Sequence, residues 1–139
     1  LIFDEIKGVI AAIHAGRNSK FLKIAQITAN KMINEFNCNV DNMKIIMGPS
    51  IHKCCYEVSD ELSQIVKTSF GEKFCDGRYI DLHGINIMLL EEIGIRHIRI
   101  SEICTKCSDE PFYSFRKNPQ TGRFAGIISF SNNGQLNYN

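Results

Sequence analysis

The chain has 139 residues, 44% of them apolar and 22% charged, with 16 basic residues against 15 acidic ones and a formal net charge of +1. That composition describes one ordinary globular domain able to build a core unaided, and it excludes a disordered segment. It also lacks the basic footprint that nucleic acid or an anionic membrane calls for, and no apolar run approaches the ~20 residues of a transmembrane helix.

Leu1-Ile2-Phe3 opens the chain in what reads as a strand, and Asp4, Glu5 and Lys7 interrupt it before any signal-peptide core can form. A domain seldom begins in a strand without an initiator Met. The expectation is therefore a cytoplasmic gene product that continues upstream of Leu1. Residues 8–13 (Gly-Val-Ile-Ala-Ala-Ile) form a continuous apolar run, as expected of a strand buried on both faces, and His14-Ala15-Gly16 ends it. From about Ser19 a helix is expected, with Phe21, Ala25, Thr28, Met32 and Phe36 at helical spacing and Leu22, Ala29 and Ile33 alongside. Met43 to Met47 reads as a short buried strand stopped by Gly48-Pro49.

Ser59 is a good N-cap, and Asp60 and Glu61 follow where the helix dipole favours acids. Leu62, Ile65, Val66 and Phe70 make an apolar stripe that Gly71 closes. Asp81 can cap another helix, carrying Leu82, Ile85, Leu89 and Ile93, with Gly94 as its stop. Residues 95–101 read as a strand with Ile98 and Ile100 on one face, and a last strand covers Arg123 to Phe130. From Ser131 the tail is polar and expected to fray. The fold class that follows is α+β, mixed β-sheets flanked by helices in the order β-α-β-α-α-β-β, with residues 1–131 as one catalytic domain portion and 132–139 as a polar tail.

Few residues stand out chemically. His14 ends a strand just before a Gly-containing turn, a place where α/β proteins put ligands; it can bind a metal or shuttle protons, or simply bond a backbone carbonyl. Cys54-Cys55 reads first as core packing, since adjacent residues at a strand end point in opposite directions. Cys104-Thr105-Lys106-Cys107 is a lone C-x-x-C that could join Cys54 or Cys55 and His52 in a structural zinc site, although a second pair of the same spacing is absent. All six cysteines are expected to be reduced thiols. Arg116 and Arg123, flanking an Asn-Pro-Gln-Thr-Gly turn, can receive a phosphate, or form a solvated basic loop.

Gly8-Val9-Ile10-Ala11-Ala12-Ile13-His14-Ala15-Gly16 and Gly48-Pro49-Ser50-Ile51 with Cys54-Cys55-Tyr56-Glu57-Val58 are the most specific stretches. Asp81-Leu82, Cys104-Thr105, Phe112-Tyr113-Ser114-Phe115-Arg116 and Thr121-Gly122-Arg123 follow in order. Together they resemble the YfiH-type proteins, formerly labelled multicopper polyphenol oxidases (laccases) and now regarded as metal-dependent purine nucleoside phosphorylases. The resemblance implies a metal, zinc or in older accounts copper, held by two His and one Cys. His14 matches one of those His residues, and the other two ligands lie upstream of the motif; none of Cys54, Cys55, Cys104 or Cys107 matches the ligand Cys. The family usually continues His-Ala-Gly with Trp-Arg-Gly, whereas this chain has Arg17-Asn18-Ser19, so Arg17 either replaces the usual Arg through a one-residue shift or that Arg is lost.

The implied activity is phosphorolysis of adenosine or inosine, with adenosine deamination as a further activity. The implied partners are a purine nucleoside and phosphate, bound by a monomer or homodimer, with neither nucleic acid nor membrane involved. Arg17, Arg116 and Arg123 are the candidate phosphate-binding residues. Two other classes stay open, a copper-dependent polyphenol oxidase and a non-enzymatic zinc-stabilised binding module.

Overall fold

In the computed structural model, residues 1–16, 23–131 and 136–138 are described. They fall into two compact units, the first made of Leu1–Gly48, Asn86–Ile100 and Ala125–Asn139, the second of Pro49–Ile85 and Ser101–Phe124.

The first unit is built on a four-stranded sheet. β1 (Ile2–Asp4) lies inside it, antiparallel both to β2 (Val9–Ala11) and to β3 (Met43–Met47), while β3 pairs in parallel with β6 (His97–Ile100). All three residues of β1 are buried, which explains how Asp4 can follow two core apolar residues without penalty. Its Oδ1 accepts the backbone N–H groups of Ile6 and Lys7, both at 3.0 Å, and its Oδ2 accepts that of Asn39 at 3.2 Å. A buried carboxylate is tolerated only when its lone pairs are met in this way. Gly8, at φ +65°, then lets the chain reverse into β2.

The run expected to be buried on both faces is instead a three-residue edge strand, half-buried throughout. Its side chains Val9 and Ala11, with Ile13 beyond, lean on the core from the rim. A continuous apolar run cannot separate an edge strand over a core from a central one. β3 coincides with its expected span, with Met43 and Ile45 buried.

α1 (Ile24–Phe36) buries Ala25, Ala29 and Met32, and Asn37 ends it in the left-handed conformation. Ser19, Phe21 and Leu22, expected in its first turns, lie outside the described residues, and Phe36 is half exposed rather than part of the stripe. Ile2, Ala25, Ala29, Met32, Cys38, Met43, Ile45, Leu90 and Ile95 form the core of this unit. Each large apolar side chain among them contributes about 1.5–3 kcal/mol on burial.

In the second unit α2 (Asp60–Phe70) starts as expected, with Ser59 Oγ accepting the Leu62 N–H at 3.3 Å and Val66 buried, though Ile65 is exposed. A short 3-10 turn (Glu72–Phe74) leads into a hairpin that the expected order lacked, β4 (Cys75–Asp76) and β5 (Tyr79–Ile80). Strands of two residues are too short to show alternation; the Asp76-Gly77 pair, with Gly77 at φ +56°, was its available signal. Asp81 Oδ1 accepts the Gly84 N–H at 2.9 Å and so caps α3 (Leu82–Glu92), which Gly94 at φ +94° follows.

The last expected strand is shortened to β7 (Ile128–Phe130), residues 123–127 being exposed and irregular. Part of the tail expected to fray, Leu136–Tyr138, pairs with it antiparallel as β8. The architecture is α+β, and no helix among the described residues is long and apolar enough to cross a membrane.

Candidate functional site

His14 stands three residues beyond β2, exposed, in an irregular stretch. Its ring folds back over the following turn, so that a Cβ on Gly16 would lie 2.8 Å from Nε2 and 3.3 Å from Cδ2. Real Cβ atoms do not approach that closely, so a side chain at position 16 would displace the exposed ring from this position. Among the described residues, the gathered set of three or more ligand-type side chains does not include His14. A single imidazole is not a metal site, and these residues alone do not fit the three-ligand centre that the family resemblance implies. Arg17, Asn18 and Ser19 lie outside the described residues.

The two other candidate cations differ in their commitments. Arg116 is half-buried: its Nη1 donates to the Glu57 carbonyl at 2.7 Å and its guanidinium lies over the Tyr56 ring, 5.4 Å from the centroid. It ties the loop after Phe112 to the 56–57 segment. Arg123 is exposed, with Nη1 donating to the carbonyls of Thr121 at 3.2 Å and Gly122 at 2.9 Å. The loop between them is shaped locally. Asn118 Oδ1 accepts the Gln120 N–H at 2.9 Å, and the Tyr113 ring covers Gly122 so closely that a Cβ there would meet it at 2.9 Å.

His83 was not singled out by its sequence neighbourhood. Its Nε2 is 2.8 Å from Ser50 Oγ, and its ring meets that of His52 edge-on, centroids 4.5 Å apart. Burial holds the His83 pKa below its usual value, and the nearby His52 works in the same direction, while Asp81 opposes it. His52 Nε2 is buried without a hydrogen-bond partner among the described residues.

The cysteines gather as the structural-zinc alternative had it in part, the C-x-x-C meeting both Cys54 and Cys55 rather than one of them with His52. Cys54 and Cys55 sit in a turn, not at a strand end: the N–H groups of Cys55 and Tyr56 both donate to the His52 carbonyl, at 3.0 and 2.9 Å. Their sulfurs therefore need not diverge. Across from them an isolated bridge joins Ser50 to Cys104, with Ser50 N–H donating to Ile103 at 3.4 Å and Thr105 N–H to Ser50 at 2.9 Å. That bridge sets the C-x-x-C turn beside the Cys-Cys turn, and the sulfurs of Cys54, Cys55, Cys104 and Cys107 all lie within 4.8 Å of one another.

The four thiols are not equivalent. Burial alone would raise the Cys104 pKa, but the backbone N–H groups of His52, Cys107 and Lys106 aimed at its sulfur prevail and bring it down to about 6. Partial desolvation and the surrounding sulfurs push Cys54 up to about 12. All six cysteines are unbridged. Cys38, in the core of the first unit, and Cys75, in β4, stay outside the cluster.

A family model described as multi-copper polyphenol oxidoreductase laccase matches residues 1–131. The chain is 31% identical over 136 residues to a purine nucleoside phosphorylase of Clostridium acetobutylicum, covering 94% of this chain and 56% of that protein. It is 29% identical over 139 residues to adenosine deaminase RL5 of an unknown prokaryotic organism, covering 91% of this chain and 53% of that protein. The crystal structure of the Bacillus licheniformis hypothetical protein YfiH superposes with a TM-score of 0.61 at 26% identity, covering 69% of this chain and 40% of that one. This chain thus spans between about a third and just over half the length of the curated relatives it matches.

Proposed function

The chain belongs to the family described as multi-copper polyphenol oxidoreductase laccase, and from that premise we propose that the protein carrying it is a purine nucleoside phosphorylase. The observation that supports this most is the 31% identity to a protein of that name over nearly the whole chain. In phosphorolysis a phosphate oxygen forms a bond to ribose C1′ as the bond from C1′ to the purine nitrogen breaks. The base leaves with the electron pair and takes up a proton, and ribose 1-phosphate is the other product.

Such a reaction needs cationic donors that hold and orient the phosphate, because its oxygens carry the charge throughout. Arg123 is the better placed of the two described candidates. A guanidinium offers five N–H donors, and its exposed edge leaves several for an anion beyond those given to Thr121 and Gly122. Arg116 serves mainly to hold its loop, with phosphate contact as a secondary role; Arg17 is the third candidate. His14 supplies one ligand to the metal this reading takes, zinc with copper as the alternative, and no step is assigned to that metal.

The test uses the complete gene product, incubated with adenosine or inosine and with or without inorganic phosphate. Release of adenine or hypoxanthine together with ribose 1-phosphate, dependent on phosphate, is the expected result. No base release in a metal-loaded preparation would end the reading. Adenosine deamination is the second reading, favoured by the likeness to adenosine deaminase RL5; it converts adenosine and water to inosine and ammonia whether or not phosphate is present. Oxygen uptake on a phenolic substrate would point instead to an oxidase.

A further inference from the structure

We propose that Cys54, Cys55, Cys104 and Cys107 form a tetrathiolate site for one soft divalent metal ion of the zinc class, built from residues other than those of the centre to which His14 contributes. Zinc–sulfur bonds of about 2.3 Å in a tetrahedron place the sulfurs about 3.8 Å apart. The Cys54 and Cys107 sulfurs are 3.7 Å apart, and no pair among the four exceeds 4.8 Å. The cluster therefore has the size of the coordination sphere, and a contraction of about 1 Å at its widest edge closes it.

Three further features belong to a metal site rather than to a chance meeting of thiols. The ligands come from two turns, and those turns are fixed to each other by the Ser50–Cys104 bridge, so the ordering cost is met by the fold before an ion arrives. The His52 backbone N–H points at Cys104 Sγ from 3.5 Å, an outer-sphere donor of the kind that orients and stabilises metal-bound thiolates. Cys54 and Cys107 also reach the surface, and a cleft lined by Lys53, Cys54, Asp76 and Tyr79 opens beside Cys54, which provides an entry path. Four sulfur donors select zinc or another soft ion and reject magnesium and calcium, whose ligands are oxygens.

The role that follows is structural. The ion would join the 52–57 turn to the 104–108 turn, and the first of these carries the Glu57 carbonyl and Tyr56 ring that hold Arg116. Metal occupancy would thereby order the loop that ends at Arg123.

The test uses the complete gene product carrying His14→Ala, which takes one ligand from the other centre, stripped of metal and kept reduced. Titration with cobalt(II) is expected to give sulfur-to-cobalt charge transfer and intense tetrahedral d–d bands, saturating at about one ion per chain. Zinc should bleach them. Cys107→Ser should lose them, while Cys38→Ser and Cys75→Ser keep them. Bands that survive Cys107→Ser with full intensity, or none in the parent, would overturn the proposal. A readout that needs no cysteine variant is alkylation of the unsubstituted protein followed by mass spectrometry. Zinc should slow labelling at Cys54, Cys55, Cys104 and Cys107 at least about tenfold, with Cys38 and Cys75 unchanged. Uniform change across all six, no change, or a disulfide between Cys54 and Cys107 in the freshly purified protein would count against it.

Discussion

The imidazole of His14 folds over Gly16, so that a Cβ there would lie 2.8 Å from its Nε2. A methyl group at position 16 would therefore move the exposed ring out of this position. Gly16→Ala is expected to leave the thermal midpoint of the complete protein almost unchanged, since the stretch is outside any strand or helix. Activity should fall by about tenfold or more, the effect of a ~1.4 kcal/mol misplacement of the ring. Steady-state assays on the two proteins check it; equal activity would detach the ring position from function.

Asp4 bears on stability alone. Asp4→Ala removes the acceptor of three backbone N–H groups in a fully buried position. Ile6, Lys7 and Asn39 are exposed, so water reaches part of what is orphaned, and a loss of about 1–3 kcal/mol in all is expected. Urea denaturation should show it as a lower midpoint at similar slope.

Arg116 and Arg123 should separate in their effects. Arg123→Ala is expected to raise the KM for phosphate several-fold with little change in melting temperature, because its hydrogen bonds are local and exposed. Arg116→Ala should lower the melting temperature and open the 112–123 loop to protease, and Arg116→Lys should not restore it, since an ammonium cannot both reach the Glu57 carbonyl and lie flat on the Tyr56 ring. Phosphate saturation curves and limited proteolysis distinguish the two.

His83 should make stability pH-dependent. Its folded pKa lies below the ordinary 6.5, from burial first and then from His52. On acidification the unfolded chain therefore takes up this proton before the folded chain does. The contribution to stability is complete above about pH 6.5 and is lost as pH falls toward the folded value. His83→Asn should show a smaller drop in melting temperature between about pH 7.5 and about pH 5.5 than the parent. Parallel melting curves at the two pH values test this, and an equal drop would remove His83 from the account.

Much of the local structure was legible along the chain. Ser59 and Asp81 are caps, β3 has its expected residues, Gly71 and Gly94 take positive φ at helix ends, and α1, α2 and α3 occupy their expected regions. Each of these is decided by partners within a few residues: a side chain to an N–H one turn away, or a backbone that only glycine adopts without strain. The same locality explains the errors. The edge position of β2 and the pairing of β8 depend on which strand lies alongside, and neither is written in the periodicity of the strand itself.

The candidate sites divide in the same way. The approach of the His14 ring to Gly16 is a local matter, because the two are neighbours in sequence. The cysteine cluster was legible only as one alternative, with His52 in place of one of the two neighbouring cysteines. Cys54 and Cys107 are separated by 53 positions, and only the Ser50–Cys104 bridge brings their turns together. His83 meets Ser50 across 33 positions, and His52 as well. Sequence by itself determined the caps, turns and helical faces, whose hydrogen bonds close within one or two turns of chain. Tertiary structure decided which distant thiols and imidazoles share a site, because that depends on how separate turns are joined by backbone pairing, and no local rule specifies the partner.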